Sequence, residues 1–469
     1  MLLSVLLHLR YASLPLTIDE GAYAYVAYWW QRGAVLYRDV WDGRPQGLYL
    51  LYVLAMKTFG ESPEGLRIFA ALYGSLTCIP LFFVGYFLGG ARLGILSAIF
   101  YGFVSTEPAF EGYYPNAELF MVVPATASAY VLLLGCERES RILLALAGAT
   151  AGLAFLTKQS GVAAALLAVL YPTVLAMKER RFTGLAAGLA STLLGFGGII
   201  APSVIHGLAT APADYLAAVF HYGWPSLDAG TQLDNAVNSL GKVAPGNMPL
   251  VLLGALGAVW LKREVFFVAW VLTCVAGMAV GGGWFPHYYV QLAPPLALAA
   301  AQGVLAYPRV LPFAIRRHLQ ISPFLAASLA CALLIAARGA APPRLLGPQG
   351  QPAYSIVDEM GEYLREHTAP EETVYVAYDG AHVIYESNRR SAEKYLDSPR
   401  LFTIPGAYDG LLSILESPHQ RPSYILANPN YLVGPNGPGD QRFALLLGRY
   451  YAPETEFPGR FVAYRRKSE

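Results

Sequence analysis

Apolar runs long enough to cross a bilayer, each ended by a charge or by a Gly or Pro break, recur along most of the chain. They lie at about 64–88, 91–108, 117–136, 141–157, 160–177, 183–205, 247–261, 265–282, 288–306 and 320–337. A shorter apolar segment, MLLSVLLHLRYASLPL, precedes them. It lacks the basic start of a signal peptide and Arg10 interrupts its core, so it reads as a first helix clipped by a misplaced start, and the expected spans number about eleven.

Basic residues orient these spans. With the N-terminus on the cytoplasmic side, Arg92, Arg138 with Arg141, Lys178 with Arg180 and Arg181, Lys262 with Arg263, and Arg309 with Arg316 and Arg317 all fall inside. The opposite connections carry almost no cations, Lys158 and Lys242 being the exceptions. Segments 17–62, 105–118, 157–161, 207–246 and 282–289 then face outward, and they hold the polar sequence of the membrane region. Any chemistry is expected on that face. After Arg338 the chain becomes charged and Pro-broken. YSIVDEMGEYLREH and FALLLGRYY have helical spacing, whereas TVYVAY and SYILAN read as short strands. The expected organisation is a polytopic α-helical membrane domain over 1–338 and a small extracytoplasmic α/β domain over 340–469.

Composition agrees with a membrane protein: of 469 residues, 55% are apolar and 14% charged, with a mean hydropathy of +0.41. A formal net charge of +1 provides no basic field for nucleic acid, so partners must be read from local sites. Cys78, Cys136, Cys274 and Cys331 stand singly in or beside apolar runs, without the spacing of a metal or redox motif.

The first outer loop, 17–62, concentrates the candidate chemistry. In TIDEGAY, Thr17 and Glu20 have capping-box spacing, and Asp19 adds a favourable first-turn charge. If Glu20 closes the box, Asp19 is left over, one turn from Tyr23, to take a proton or hold a cation. The aromatic run AYVAYWW predicts a helix over about 20–32 lying in the membrane interface. Further on, Asp42-Gly43 is a turn signal, Pro45 can open a helix and Gly60 can close it, over an apolar run too short to span. Arg44, at the start of that helix, could grip a phosphate together with unpaired backbone N–H groups, or could meet anionic lipid headgroups.

Other outer segments add candidates. Glu118, with Asn116 two residues earlier, opens a span, where an inserted acid costs about 2.5–3.5 kcal/mol and favours a paired or functional state; the plainer reading is a helix-start acid. Lys158 in TKQ is either a phosphate contact or a snorkelling lysine. His287, Tyr288 and Tyr289 in WFPHYY, and His221, Tyr222 and Trp224, suit an aromatic interface belt or a sugar platform. Gly281-Gly282-Gly283 follows no strand and lacks a GxGxxG pattern, against a sugar-nucleotide site. Asp19 and Asp42 on one loop would suit a hard divalent cation.

The stretch DEGAYAYVAYWWQRGAVLYRDVWDGRPQGLYLLY, with YPNAELFM, GLAFLTKQSG and HYYVQLAPPLALA further on, resembles membrane glycosyltransferases of the GT-C fold over roughly residues 15–305. It is most similar to the bacterial branch of protein O-mannosyltransferases and the aminoarabinose transferase of lipid A. The resemblance implies a polyprenyl-phosphate-linked sugar donor, a glycan, lipid or protein hydroxyl as acceptor, and inversion on the extracytoplasmic face of the cytoplasmic membrane. By that resemblance Asp19 corresponds to the general base and Glu20 supports the loop. Where the family often has D-x-K-P-P, this chain has Asp42-Gly43-Arg44-Pro45-Gln46. Arg44 keeps the positive charge for the donor phosphate, with Lys158 as a second contact, and Gln46 removes one proline from the turn. The competing expectation is a lipid-linked sugar transporter or flippase, which would place charges near mid-span and repeat one half of the chain in the other; neither is evident.

Overall fold

The computed structural model describes residues 1–221, 228–310, 356–377, 380–432 and 441–468. Among them, five helices are long and apolar enough to span: Pro63–Gly89, Ala117–Glu137, Gln159–Glu179, Leu185–Thr210 and Pro286–Ala306. Ala91–Val104, Arg141–Thr157, Asn247–Ala258 and Glu264–Val280 are shorter apolar helices. Nine of the expected spans thus coincide with apolar helices. The expected run 320–337 and the domain boundary near 338 lie outside the described residues. Among the described residues, five of these nine are long enough to span by length and apolarity alone.

The breaks are local. Gly90 (φ 84°) separates the helices ending at Gly89 and starting at Ala91, and Gly184 (φ 81°) precedes Leu185–Thr210. Helices 141–157 and 185–210 approach closely because neither carries a side chain at the crossing. A methyl group on Gly148 would overlap the Thr192 carbonyl, and one on Gly195 the Ala145 carbonyl. Small residues at the contact, with Leu193, Leu194 and Ile205 exposed elsewhere on the longer helix, are the pattern of packing within lipid. The connections expected on the basic side meet at one end of the helices, where Arg181 pairs with Glu139, Lys178 with Glu264 and Arg263 with Glu137. Such exposed pairs add little stability, but they fix which ends lie together.

The segment 207–246, expected to face outward, is largely helical. Residues 229–246 are not loop but the first half of a single helix, Ala229–Ala258, despite Pro245 and Pro249. Asp228 starts it by accepting from the Thr231 amide at 3.0 Å. Leu233, Val237 and Leu240 then form an exposed apolar stripe at helical spacing.

The C-terminal region forms a five-stranded sheet in the order β2-β1-β3-β5-β4, with β1 Thr373–Val376, β2 Arg390–Ser391, β3 Tyr424–Ala427, β4 Tyr451–Phe457 and β5 Phe461–Arg466. β2, β1 and β3 are parallel, whereas β5 and β4 run antiparallel. The helices Val357–His367 and Arg442–Tyr450 match the expected helical stretches.

This sheet shares a core with the first outer loop: Tyr23, Tyr25, Val26, Tyr49 and Tyr52 cluster with Val357, Val374, Val383 and Leu426. Ser391 donates its amide to the Tyr25 hydroxyl at 2.9 Å, and Tyr385 bonds the Glu61 carbonyl. The Ile18–Trp30 helix was expected to lay its aromatic residues in the membrane interface. Instead Tyr23 to Ala27 are all buried in protein, because the C-terminal domain supplies the apolar partner. Gly21 sets that contact, since a methyl group there would overlap the Cα of His382 in the Ala381–Ser387 helix. Gly21→Ala is therefore expected to cost about 1–3 kcal/mol, read as a lower melting temperature in detergent. Gly241→Ala, where a methyl meets nothing, should be neutral or slightly stabilising.

Candidate active site

The site begins at the start of the Ile18–Trp30 helix. Thr17 accepts the Glu20 amide at 3.3 Å, and the Glu20 carboxylate accepts the Thr17 amide at 2.5 Å, so the capping box closes both ways. The same carboxylate oxygen pairs with Arg67 at 2.8 Å, and neither side chain sees solvent. Arg67 also donates to the Pro15 carbonyl at 2.8 Å, and its guanidinium lies 5.3 Å from the Tyr114 ring. Glu20 thus holds the backbone. Asp19 is only partly buried, and its carboxylate has no hydrogen bond or ion pair among the described residues.

The turn after the aromatic helix is braced by tyrosines. Tyr49 donates to the Asp42 carboxylate at 2.8 Å and accepts the Arg44 amide at 3.3 Å, while Tyr37 donates to the Arg44 carbonyl at 2.9 Å. Pro45 is the N-cap of the Gln46–Phe59 helix, and Gly60 (φ 87°) is its C-cap. Arg44 gives its Nε to the Tyr23 hydroxyl at 3.2 Å; its two terminal nitrogens have no partner among the described residues. Burial holds the Tyr23 phenol well above its usual value, so it remains a neutral hydrogen-bonding group. Gln159, from the TKQ segment, donates to the Gly43 carbonyl at 2.7 Å and the Val219 carbonyl at 3.3 Å. Three segments distant in sequence are thereby pinned to one turn.

A second cluster lies behind. Lys158 pairs with Glu118, and its ammonium sits 3.9 Å from the centre of the Tyr288 ring. His287 bridges two acids, with Nδ1 3.2 Å from Glu111 and Nε2 3.9 Å from Glu118. Asn116 opens the Ala117–Glu137 helix without capping it, and its buried side-chain oxygen lacks a partner among the described residues. His287, Tyr288 and Tyr289 are buried in the helix bundle, not in a lipid-facing belt. His221 ends a described segment, and Tyr222 and Trp224 lie outside the described residues.

Arg44 reaches Tyr23, Gln159 reaches the Gly43 carbonyl, and its neighbour Lys158 reaches Glu118 and the Tyr288 ring, so these sequence candidates are brought together. Lys158 does not enter the site as a free cation, because Glu118 neutralises it. Asp42 is occupied by Tyr49, and no group of three or more His, Cys, Asp and Glu among the described residues is placed to hold a metal ion.

Sequence reasoning missed Glu111, and it did not see that Arg67 would be the partner of Glu20. It also missed Arg400, which reaches over from the C-terminal domain: a methyl group on Gly43 would lie 3.7 Å from Arg400 Nη2. Nothing local in SPRLFT marks that arginine.

Residues 44–206 match the family model of dolichyl-phosphate-mannose-protein mannosyltransferases. That segment contains Arg44, Arg67, Glu118 and Lys158. The crystal structure of ArnT from Cupriavidus metallidurans bound to undecaprenyl phosphate aligns at 14% identity and a TM-score of 0.70, covering 98% of this chain and 96% of that one. The Archaeoglobus fulgidus oligosaccharyltransferase tethered to an acceptor peptide aligns at 13% identity and a TM-score of 0.51, covering 100% of this chain and 73% of that one. AglB from the same organism, in complex with an inhibitory peptide and a dolichol-phosphate, aligns at 13% identity with the same TM-score, covering 97% and 71%. No sequence match was found among curated proteins. In fold the chain is similar to these ArnT and oligosaccharyltransferase structures, and its residues 44–206 match the model of dolichyl-phosphate-mannose-protein mannosyltransferases.

Proposed function

We propose that the protein is a glycosyltransferase that moves a sugar from a polyprenyl-phosphate carrier to an acceptor hydroxyl, with inversion, at the extracytoplasmic face of a bacterial cytoplasmic membrane. The observation that carries this reading is that two charged groups are unsatisfied among the described residues: the carboxylate of Asp19 and the terminal guanidinium nitrogens of Arg44. Both are available to substrate. The solved structures with undecaprenyl phosphate or a dolichol-phosphate support a lipid phosphate as ligand class.

The chemistry balances with these two groups. The acceptor oxygen attacks the anomeric carbon, the bond from that carbon to the phosphate oxygen breaks, and the electron pair leaves with the polyprenyl phosphate. Asp19 takes the acceptor proton, and Arg44 stabilises the charge growing on the leaving phosphate. Glu20 and Arg67 fix the helix start that presents Asp19. The buried pair of Lys158 with Glu118, and His287 between its two acids, shape the wall beneath the sugar.

Purified protein in liposomes, given a panel of radiolabelled polyprenyl-phosphate hexoses and pentoses with envelope lipids, glycans and peptides as acceptors, should form a covalent product. Turnover from a sugar nucleotide, or movement of the donor across the bilayer with no product, would replace this reading with another enzyme class or with a flippase.

A further inference from the structure

Arg400 belongs to the short helix Ser398–Thr403 of the C-terminal domain, and its position is fixed rather than fortuitous. Asp397 caps that helix by accepting the Arg400 amide at 3.0 Å, and the same carboxylate oxygen takes Arg400 Nη1 at 3.2 Å. This leaves Nη2 directed at the turn that carries Asp42, Gly43 and Arg44. Its side chain is a quarter exposed, so the guanidinium is not free in solvent. Upstream of it, the Tyr395 ring packs on Trp41 at 5.1 Å and the two backbones form a bridge, which holds this part of the domain against the turn.

Two arginines therefore adjoin a single glycine, Arg44 along the chain and Arg400 through space. Gly43 has no side chain to separate them, and Gln159 holds its carbonyl in place. Like charges gathered over one turn repel unless an anion lies between them. The acids of the protein only partly fill that role: Asp397 takes one arm of Arg400, Asp42 accepts from Tyr49, and Asp19 is needed for the proton. What remains uncompensated is the outer nitrogens of Arg44 and one arm of Arg400, donors suited to a tetrahedral anion with several oxygens.

We propose that Arg400 is a phosphate-binding residue of this site, so that the C-terminal domain completes the pocket for the phosphate of the lipid-linked donor. The inference rests on the proposed function and extends it, because donor binding then requires the C-terminal domain to be docked. An anionic group on the acceptor would offer the same chemistry, so the test is made with no acceptor present.

The experiment measures undecaprenyl phosphate binding to the full-length protein in detergent, for wild type and for Arg400→Ala, Arg400→Lys, Asp397→Asn, Arg44→Ala and Arg449→Ala, with a melting curve for each. Arg400→Ala is expected to weaken binding about tenfold to a hundredfold, the loss of one or two charge-assisted hydrogen bonds. Arg400→Lys should recover part of the affinity, which a purely structural role would not require. Asp397→Asn, which loosens the arm that aims the guanidinium, should weaken binding less than Arg400→Ala does, and Arg449→Ala, at an exposed helix end, should stay near wild type. If Arg44→Ala loses the lipid while Arg400→Ala binds it as wild type does, the inference is overturned and the proposed function stands. A wild-type protein that does not bind the lipid would remove both.

Discussion

Asp19→Asn is expected to lower sugar transfer by about a hundredfold to ten-thousandfold, the range that general-base catalysis supplies, with donor affinity and melting temperature close to wild type. The substitution is clean because Asp19 has no structural task among the described residues. The capping box runs through Thr17 and Glu20, the ion pair runs from Glu20 to Arg67, and the aromatic contacts begin at Tyr23. An asparagine keeps the size and the hydrogen-bonding reach of the side chain. It loses a first-turn charge, worth about 0.3–1 kcal/mol, and the ability to accept a proton. Single-turnover assays with saturating donor separate the two effects: a base is lost from the chemical step, whereas a binding residue is lost from donor affinity. Wild-type turnover by Asp19→Asn would remove the base from the mechanism and leave His287, Glu111 and Glu118 to be tested in its place.

How legible this was in the sequence depends on the range of each interaction. The capping box is a four-residue pattern with a local mechanism, and reading it correctly isolated Asp19 as the spare acid. The apolar runs were visible because lipid imposes length and composition directly on the chain. Long-range partners were not. Glu118 and Lys158 each stood out as a charge beside an apolar run, yet nothing in either segment says that they neutralise each other across 40 positions. The AYVAYWW run looked like an interface belt because an apolar partner supplied by lipid and one supplied by another domain select the same residues. Strand β4 escaped notice for a different reason. Pro453, and a register shift between Pro453 and Thr455, break the alternation of the edge strand β4, and a half-exposed edge carries little apolar signal. Arg400 has no local signature at all; only the docking of the domain brings it to Gly43.

Arg67→Ala is expected to destabilise the protein by about 3–5 kcal/mol, the cost of leaving one member of a buried ion pair uncompensated. The Arg67 and Glu20 side chains are 2% and 0% exposed, so solvent cannot replace the missing charge. The loss should depend on pH, and the sign follows from Glu20. Burial raises the Glu20 carboxyl above its ordinary value of 4.5, although Arg67 and the Thr17 hydrogen bonds pull it down. The folded protein therefore holds that proton more tightly than the unfolded chain, and ionising Glu20 costs stability as pH rises past 4.5 until the raised folded value is reached. Removing the guanidinium raises the folded value further and widens that window. The difference in melting temperature between Arg67→Ala and wild type should thus be smallest near the ordinary carboxyl value and grow toward neutral pH. Glu20→Gln in the Arg67→Ala background should recover much of the loss at neutral pH, since the double variant no longer buries a lone charge and glutamine can still accept the Thr17 amide. A deficit that is flat with pH, or one that Glu20→Gln does not relieve, would mean that Arg67 acts through packing on Tyr114 and its bond to Pro15 instead. Because the same pair holds the first turn of the Ile18–Trp30 helix, Arg67→Ala should also slow transfer with Asp19 intact, and the double variant should regain rate together with stability.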